Sequence, residues 1–168
     1  MVVIDEYGES KKKKIKLTPA QALPKIQKYC AYQERSHKEV RNKLYEYNLW
    51  PGEVEELISS LITDNFLNEE RFAKAYAGGK FRIKKWGKLK IVNELNRLGL
   101  TERCINKGLK EIELSDYRKT LQNLLTKKAK EIKDSQLFIK RNKLARFALG
   151  KGYESDIVWE VVKNIFPG

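Results

Sequence analysis

A pattern that returns after 51 and then 53 residues constrains this chain more than any other feature of its sequence. Val40, Leu44, Asn48 and Leu49 share their spacing with Ile91, Leu95, Gly99 and Leu100, and again with Leu144, Ala148, Gly152 and Tyr153. Beyond Leu49 come Val54, Ile58 and Leu61; at the same intervals beyond Leu100 come Ile105, Leu109 and Ile112; beyond Tyr153 come Val158, Val162 and Ile165. Apolar residues three and four apart mark helix faces, and the aligned Asn or Gly marks a turn that favours a left-handed residue. Three short helices cannot bury their apolar faces alone, so neighbouring units cover one another. The expected fold is all-α: three tandem three-helix repeats in an elongated row, over residues 18–66, 67–113 and 114–168. Residues 1–17 stand outside the repeat, as a short hairpin about Tyr7-Gly8 or a basic arm. Within them Lys11, Lys12, Lys13 and Lys14 repel one another and should be solvated.

Capping signals divide the pattern into helices. Thr18-Pro19-Ala20-Gln21 offers an N-cap, a proline at the first helical position and a Gln partner. Pro24 follows closely enough to predict a kink or a later start. Ser36-His37-Lys38-Glu39 reads as a capping box, and Pro51 starts the next helix. Asn68-Glu69-Glu70 places two acids in a first turn, where the helix dipole favours them. Gly87 precedes a helix that Gly99 ends, and Thr101 caps the following one. Ser115-Asp116 and Ser155-Asp156 are expected to open two of the last three helices, with another from about Ser135 to Leu149. Gly78-Gly79, inside a helical stretch, reads as a close packing point or a bend.

Charge is uneven. The chain carries 35 Lys plus Arg against 22 Asp plus Glu, net +13. Residues 18–66 are near neutral at −1, whereas 67–113 and 114–168 carry +6 each. A polyanion-facing surface is therefore expected in the latter two thirds. No run of 18 apolar residues is present, so no membrane span is expected. The apolar Val2-Val3-Ile4 precedes the basic run, the reverse of a signal peptide, which makes the cytoplasm the expected compartment. Cys30 and Cys104 have no partners at metal spacing and read as two buried thiols.

Catalytic patterns are sparse. The one histidine, His37, sits in a capping box. The pairs Glu55-Glu56 and Glu69-Glu70 are adjacent, so on a helix they diverge. No phosphate-binding loop is present. The chain reads as a non-enzyme with no metal and no cofactor.

The densest stretch is Lys80-Phe81-Arg82-Ile83-Lys84-Lys85-Trp86-Gly87-Lys88-Leu89-Lys90, with six cations, two aromatics and no acid. Spread over a helix end and the next helix start, it forms a positive ridge suited to phosphates or carboxylates, and an exposed Trp86 could stack on a base. The plainer alternative puts Phe81, Ile83 and Trp86 in the core and leaves the lysines as a solvated face. The candidate binding residues are Lys80, Arg82, Lys84, Lys85, Trp86, Lys88, Lys90 and Arg97. A weaker basic group comprises Lys127, Lys128, Lys130, Lys133, Lys140, Arg141, Lys143 and Arg146.

Three motifs carry a resemblance to a known family. They are Ser36-x-x-Glu39-Val40-x-x-Lys43-Leu44, then Leu67-Asn68-Glu69-Glu70-Arg71-Phe72-Ala73-x-x-Tyr76, and then Gly87-x-x-x-Ile91-x-x-Glu94-Leu95-x-x-x-Gly99-Leu100. The sequence resembles the RecX family of recombinase regulators over about residues 18–166, with Arg71, Phe72, Tyr76, Gly87 and Gly99 as motif residues. Gly78-Gly79 departs from the family pattern, which has bulkier residues there. The resemblance implies tandem three-helix repeats and binding to the RecA–DNA filament, within its helical groove. It also implies inhibition of RecA ATP hydrolysis, strand exchange and coprotease activity, in DNA repair, recombination and the SOS response. It brings no catalytic residue and no cofactor. A monomer is expected, with weak, non-specific DNA contact. The rival reading is a direct DNA-binding module of helix-turn-helix type; a third is a helical scaffold for an acidic protein.

Overall fold

The structure, a computed structural model, describes residues 3–4, 10–11 and 16–168. Two short strands, β1 (Val3–Ile4) and β2 (Ser10–Lys11), pair antiparallel, with Val3 opposite Lys11. Tyr7-Gly8 and residues 12–14 lie outside the described residues. The rest is helical, in two compact units that meet in sequence at Glu69 and Glu70.

The first unit holds α1 (Pro19–Tyr32), α2 (His37–Glu46) and α3 (Pro51–Thr63). Two capping boxes start α1 and α2. Thr18 Oγ1 accepts from the Gln21 amide and the Gln21 side chain accepts from the Thr18 amide, as do Ser36 and Glu39 in their turn. The helix begins at Pro19 despite Pro24, which lies within it and removes only one helical donor. His37 is simply the first residue of α2. Ala22, Ile26, Cys30, Val40, Leu44, Leu49, Val54, Ile58, Leu61 and Leu67 form one buried cluster. Burial pushes the Cys30 thiol up to about 11. Both cysteines are free, but only Cys30 is buried; Cys104 is half-buried, a correction to the expected pair.

The second unit holds α4 (Glu69–Lys84), α5 (Lys88–Arg97), α6 (Glu102–Leu109), α7 (Leu114–Ala129), α8 (Leu137–Gly150) and α9 (Ser155–Ile165). These six helices share one core, from Phe72 and Phe81 through Ile91, Leu95 and Ile105 to Tyr117, Leu121, Leu144, Tyr153 and Val162. The Phe81 and Tyr117 rings lie 5.8 Å apart and the Tyr117 and Tyr153 rings 4.9 Å. The turn residues aligned by the repeat share one conformation: Asn48, Gly99 and Gly152 all have positive φ, at 56°, 82° and 89°. The three residues that follow them, Leu49, Leu100 and Tyr153, are all buried. The architecture is thus a helical repeat, as the spacing predicts.

Two helix starts differ from the expected caps. The residue before α7 is Glu113 and the residue before α9 is Glu154, so Ser115 and Ser155 lie inside their helices. The Glu154 carboxylate does not cap α9; it accepts from Tyr117 Oη at 2.5 Å. That hydroxyl also accepts from the Lys88 amide at 2.9 Å, while the Gly87 amide donates to the Lys151 carbonyl at 2.8 Å and the Leu89 amide to the Gly152 carbonyl at 3.0 Å. Gly87 has no side chain to cap α5, so three amides at that helix start are satisfied from α7 and from the turn that ends α8. The positive end of one helix dipole meets the negative end of another.

Tyr153 is fully buried and its hydroxyl has no hydrogen-bond partner. Burial, then the Glu154 charge, pushes its phenol up to about 12. Tyr153→Phe is therefore expected to raise stability by about 1 kcal/mol at neutral pH, since it removes a desolvated, unpaired polar group. Folding favours the neutral phenol, so its contribution is complete below pH of about 10 and is lost as pH rises from there towards the folded value. Urea midpoints should accordingly fall less steeply for the variant than for wild type above pH of about 10. A lower midpoint for the variant at neutral pH would contradict this.

Candidate functional site

The ridge is built where α4 ends and α5 begins. Lys85 takes φ of 55°, which breaks α4, and its Nζ donates to the Arg82 carbonyl at 2.7 Å. Arg82 and Lys84 lie in the last turn of α4, where the helix dipole favours cations, so part of this charge has a structural use. Trp86 is half-buried against the core of the second unit. Lys80 Nζ stands 5.1 Å from the Trp86 ring centre and Lys90 Nζ 4.7 Å from it. Lys80 also stands 5.0 Å from the Tyr76 ring, and Lys88 Nζ 5.0 Å from the Tyr117 ring.

These contacts hold cations in place without neutralising them. An aromatic face attracts an ammonium group, typically by about 0.5–2 kcal/mol, and leaves its net charge intact. None of Lys80, Arg82, Lys84, Lys85, Lys88 and Lys90 forms an ion pair among the described residues. Arg97 is different. It lies at the far end of α5 and pairs with Glu94 at 3.3 Å.

Three sequence expectations change here. Phe81 is core, but Ile83, which the plainer reading buried, is 76% exposed. Trp86 is neither wholly core nor bare: it is half-buried, with Lys80 and Lys90 both over its ring. Lys85 also lines a cleft of about 310 Å³ with Thr120, Asn123, Leu124 and Lys127. The ridge therefore continues across this cleft to α7, and the shared lining of Lys85 and Lys127 is a juxtaposition that linear spacing could not supply. The rest of the second basic group is partly engaged: Lys128 pairs with Glu131 and Lys143 with Asp134, and Arg141 donates to the Phe166 carbonyl.

The motif residues lie in the same unit as the ridge. Phe72 is buried, with its ring 5.6 Å from that of Tyr76. Arg71 is half-buried on α4. Gly99 forms the turn between α5 and α6. Gly87 sits against Gly152: an added Cβ would lie 2.2 Å from the Gly152 carbonyl. Gly78 is buried beneath the Arg82 guanidinium, whereas a Cβ on Gly79 would meet nothing within 4 Å. The pair is thus a packing point at its first position and open space at its second.

No described group of His, Cys, Asp and Glu could hold a metal ion, and no described helix is long and apolar enough to cross a membrane.

A profile described as "RecX, second three-helix domain" matches residues 68–109, and one described as "RecX, third three-helix domain" matches residues 116–162. A regulatory protein RecX of Clostridium perfringens is 32% identical over 133 residues, which cover 78% of this chain and 62% of that protein. One of Haemophilus influenzae is 30% identical over 127 residues, covering 75% of this chain and 82% of the relative. The chain thus spans less than two thirds of the clostridial relatives it matches. The crystal structure of RecX from Lactobacillus salivarius superimposes with a TM-score of 0.78 at 22% identity, covering 88% of this chain and 96% of that one.

Proposed function

The chain belongs to the RecX family of regulatory proteins, and from that membership we propose that it binds the RecA–DNA filament and restrains it. The ridge on α4 and α5 is the proposed contact surface. Lys80, Arg82, Lys84, Lys85, Lys88 and Lys90 meet the acidic filament, with Lys127 extending the surface and Trp86 acting as a scaffold for two of the lysines. The observation that carries this reading is that six cations stand together with no carboxylate among the described residues paired to any of them. Keeping such charges apart from in-chain anions leaves electrostatic energy to be released on a polyanion or an acidic protein face.

The proposed action is non-catalytic: occupancy of the filament slows RecA ATP hydrolysis, strand exchange and coprotease activity, and DNA contact is weak and sequence-blind. Steady-state RecA ATPase on single-stranded DNA, titrated with the protein, tests it. A dose-dependent fall is expected, and an unchanged rate up to a molar excess over RecA would overturn the proposal. Tight, sequence-selective binding to bare duplex DNA would instead favour a helix-turn-helix reader.

A further inference from the structure

A shallow groove of about 200 Å³ runs along α4, lined by Ala75, Tyr76, Gly79, Lys80, Ile83 and Lys84. These residues fall at helical spacing along one side of α4, where Tyr76, Gly79 and Ile83 continue the line of Phe72, while the buried Ala77 and Phe81 are turned the other way. Gly79 lines it, and no described neighbour requires a glycine there, because a Cβ would meet nothing within 4 Å. A mid-helix glycine weakens a helix relative to alanine, so the missing side chain has a cost and no internal use. Ile83, 76% exposed, forms one wall, and no acidic residue lines the groove among the described residues.

We infer that this groove receives an apolar side chain from an acidic protein segment, with Lys80 and Lys84 pairing the carboxylates that flank it. The inference rests on the proposed filament contact for the identity of the partner and assigns this part of the surface to protein rather than to nucleic acid. Three observations favour protein. The volume is below the range of about 300–1,000 Å³ usual for small-molecule pockets and suits one side chain. The Ala75 and Ile83 walls are aliphatic and offer no stacking face. The Tyr76 ring is occupied by Lys80 on one side and packs near Phe72. A cationic rim about an apolar floor is complementary to an acidic amphipathic helix, whose anchors repeat at three and four residues.

The test uses the full chain, a synthetic acidic helical peptide with leucine anchors, the same peptide with serine for leucine, and an oligo(dT) strand. Amide shifts in two-dimensional NMR should move at Gly79 and Ile83 with the leucine peptide. They should move at least about tenfold less at equal concentration with the serine peptide, and not with oligo(dT). Gly79→Leu, which fills the groove and favours the helix, should weaken both the peptide and RecA filaments at least about tenfold, while the melting temperature is maintained or raised. Unmoved amides, equal response to the serine peptide, or a Gly79→Leu chain that binds the peptide as wild type does would overturn the groove. Ile83→Ser gives an independent second reading at an exposed site. Loss of filament inhibition by the wild-type chain with peptide binding intact would strike the proposed function and leave the groove standing.

Discussion

Replacing Gly152 with alanine is expected to destabilise the second unit by about 2–5 kcal/mol. Two independent effects add. Gly152 holds φ of 89°, which costs an L-residue about 1–2 kcal/mol. The new methyl would also lie 2.3 Å from Lys90 Cβ and 2.6 Å from the Lys90 amide nitrogen, so α5 must move. Overpacking of this kind typically costs about 1–3 kcal/mol. Movement there also loosens the Gly87–Lys151 and Leu89–Gly152 hydrogen bonds, which tie α5 to the turn after α8. Gly87→Ala should act in the same direction through its clash with the Gly152 backbone. Gly150→Ala is the control, since a Cβ there meets nothing within 4 Å. Urea unfolding checks all three; a Gly152→Ala midpoint equal to wild type would refute the head-to-tail junction of α8 and α5.

Reversing Lys84 and Lys85 together to Glu should weaken binding to RecA–single-stranded DNA filaments at least about tenfold, a free-energy change of about 1.4 kcal/mol or more. Both side chains are exposed and neither is in an ion pair among the described residues, so no described salt bridge is lost. Lys85 does give up its bond to the Arg82 carbonyl, and both reversals oppose the α4 dipole, together costing about 1 kcal/mol of stability. The signature is thus a large loss of binding with a small change in melting temperature. Where phosphates are contacted, the salt dependence of binding should also flatten, with a slope lower by about 1 for each contact removed. Binding within twofold of wild type, or a collapsed melting temperature, would remove the ridge from the account.

Much of this fold is legible in the chain because its signals are local. Thr18, Ser36 and Thr101 cap their helices through bonds reaching only three residues ahead, and Asn48, Gly99 and Gly152 declare left-handed turns. What escapes linear reading depends on partners far away in sequence. Glu154 precedes α9 without capping it because Tyr117, 37 residues earlier, claims its carboxylate. Gly87 looks like an ordinary helix start until Gly152 is found against it. The ridge is visible as composition, but its chemistry is not: Trp86 is identifiable as aromatic, whereas the seating of Lys80 and Lys90 over its ring depends on how the chain turns at Lys85 between α4 and α5. Ile83 illustrates the limit of periodicity, because an apolar residue two positions from the buried Phe81 falls on a different helix face.

Co-sedimentation with RecA–single-stranded DNA filaments at about 50 mM and about 200 mM salt tests the electrostatic contact most directly. The wild-type chain should enter the pellet at the lower salt and largely leave it at the higher, while the Lys84→Glu, Lys85→Glu chain stays in the supernatant throughout. Wild-type and reversed chains pelleting alike at both salts would contradict it, as would a wild-type chain that never enters the pellet.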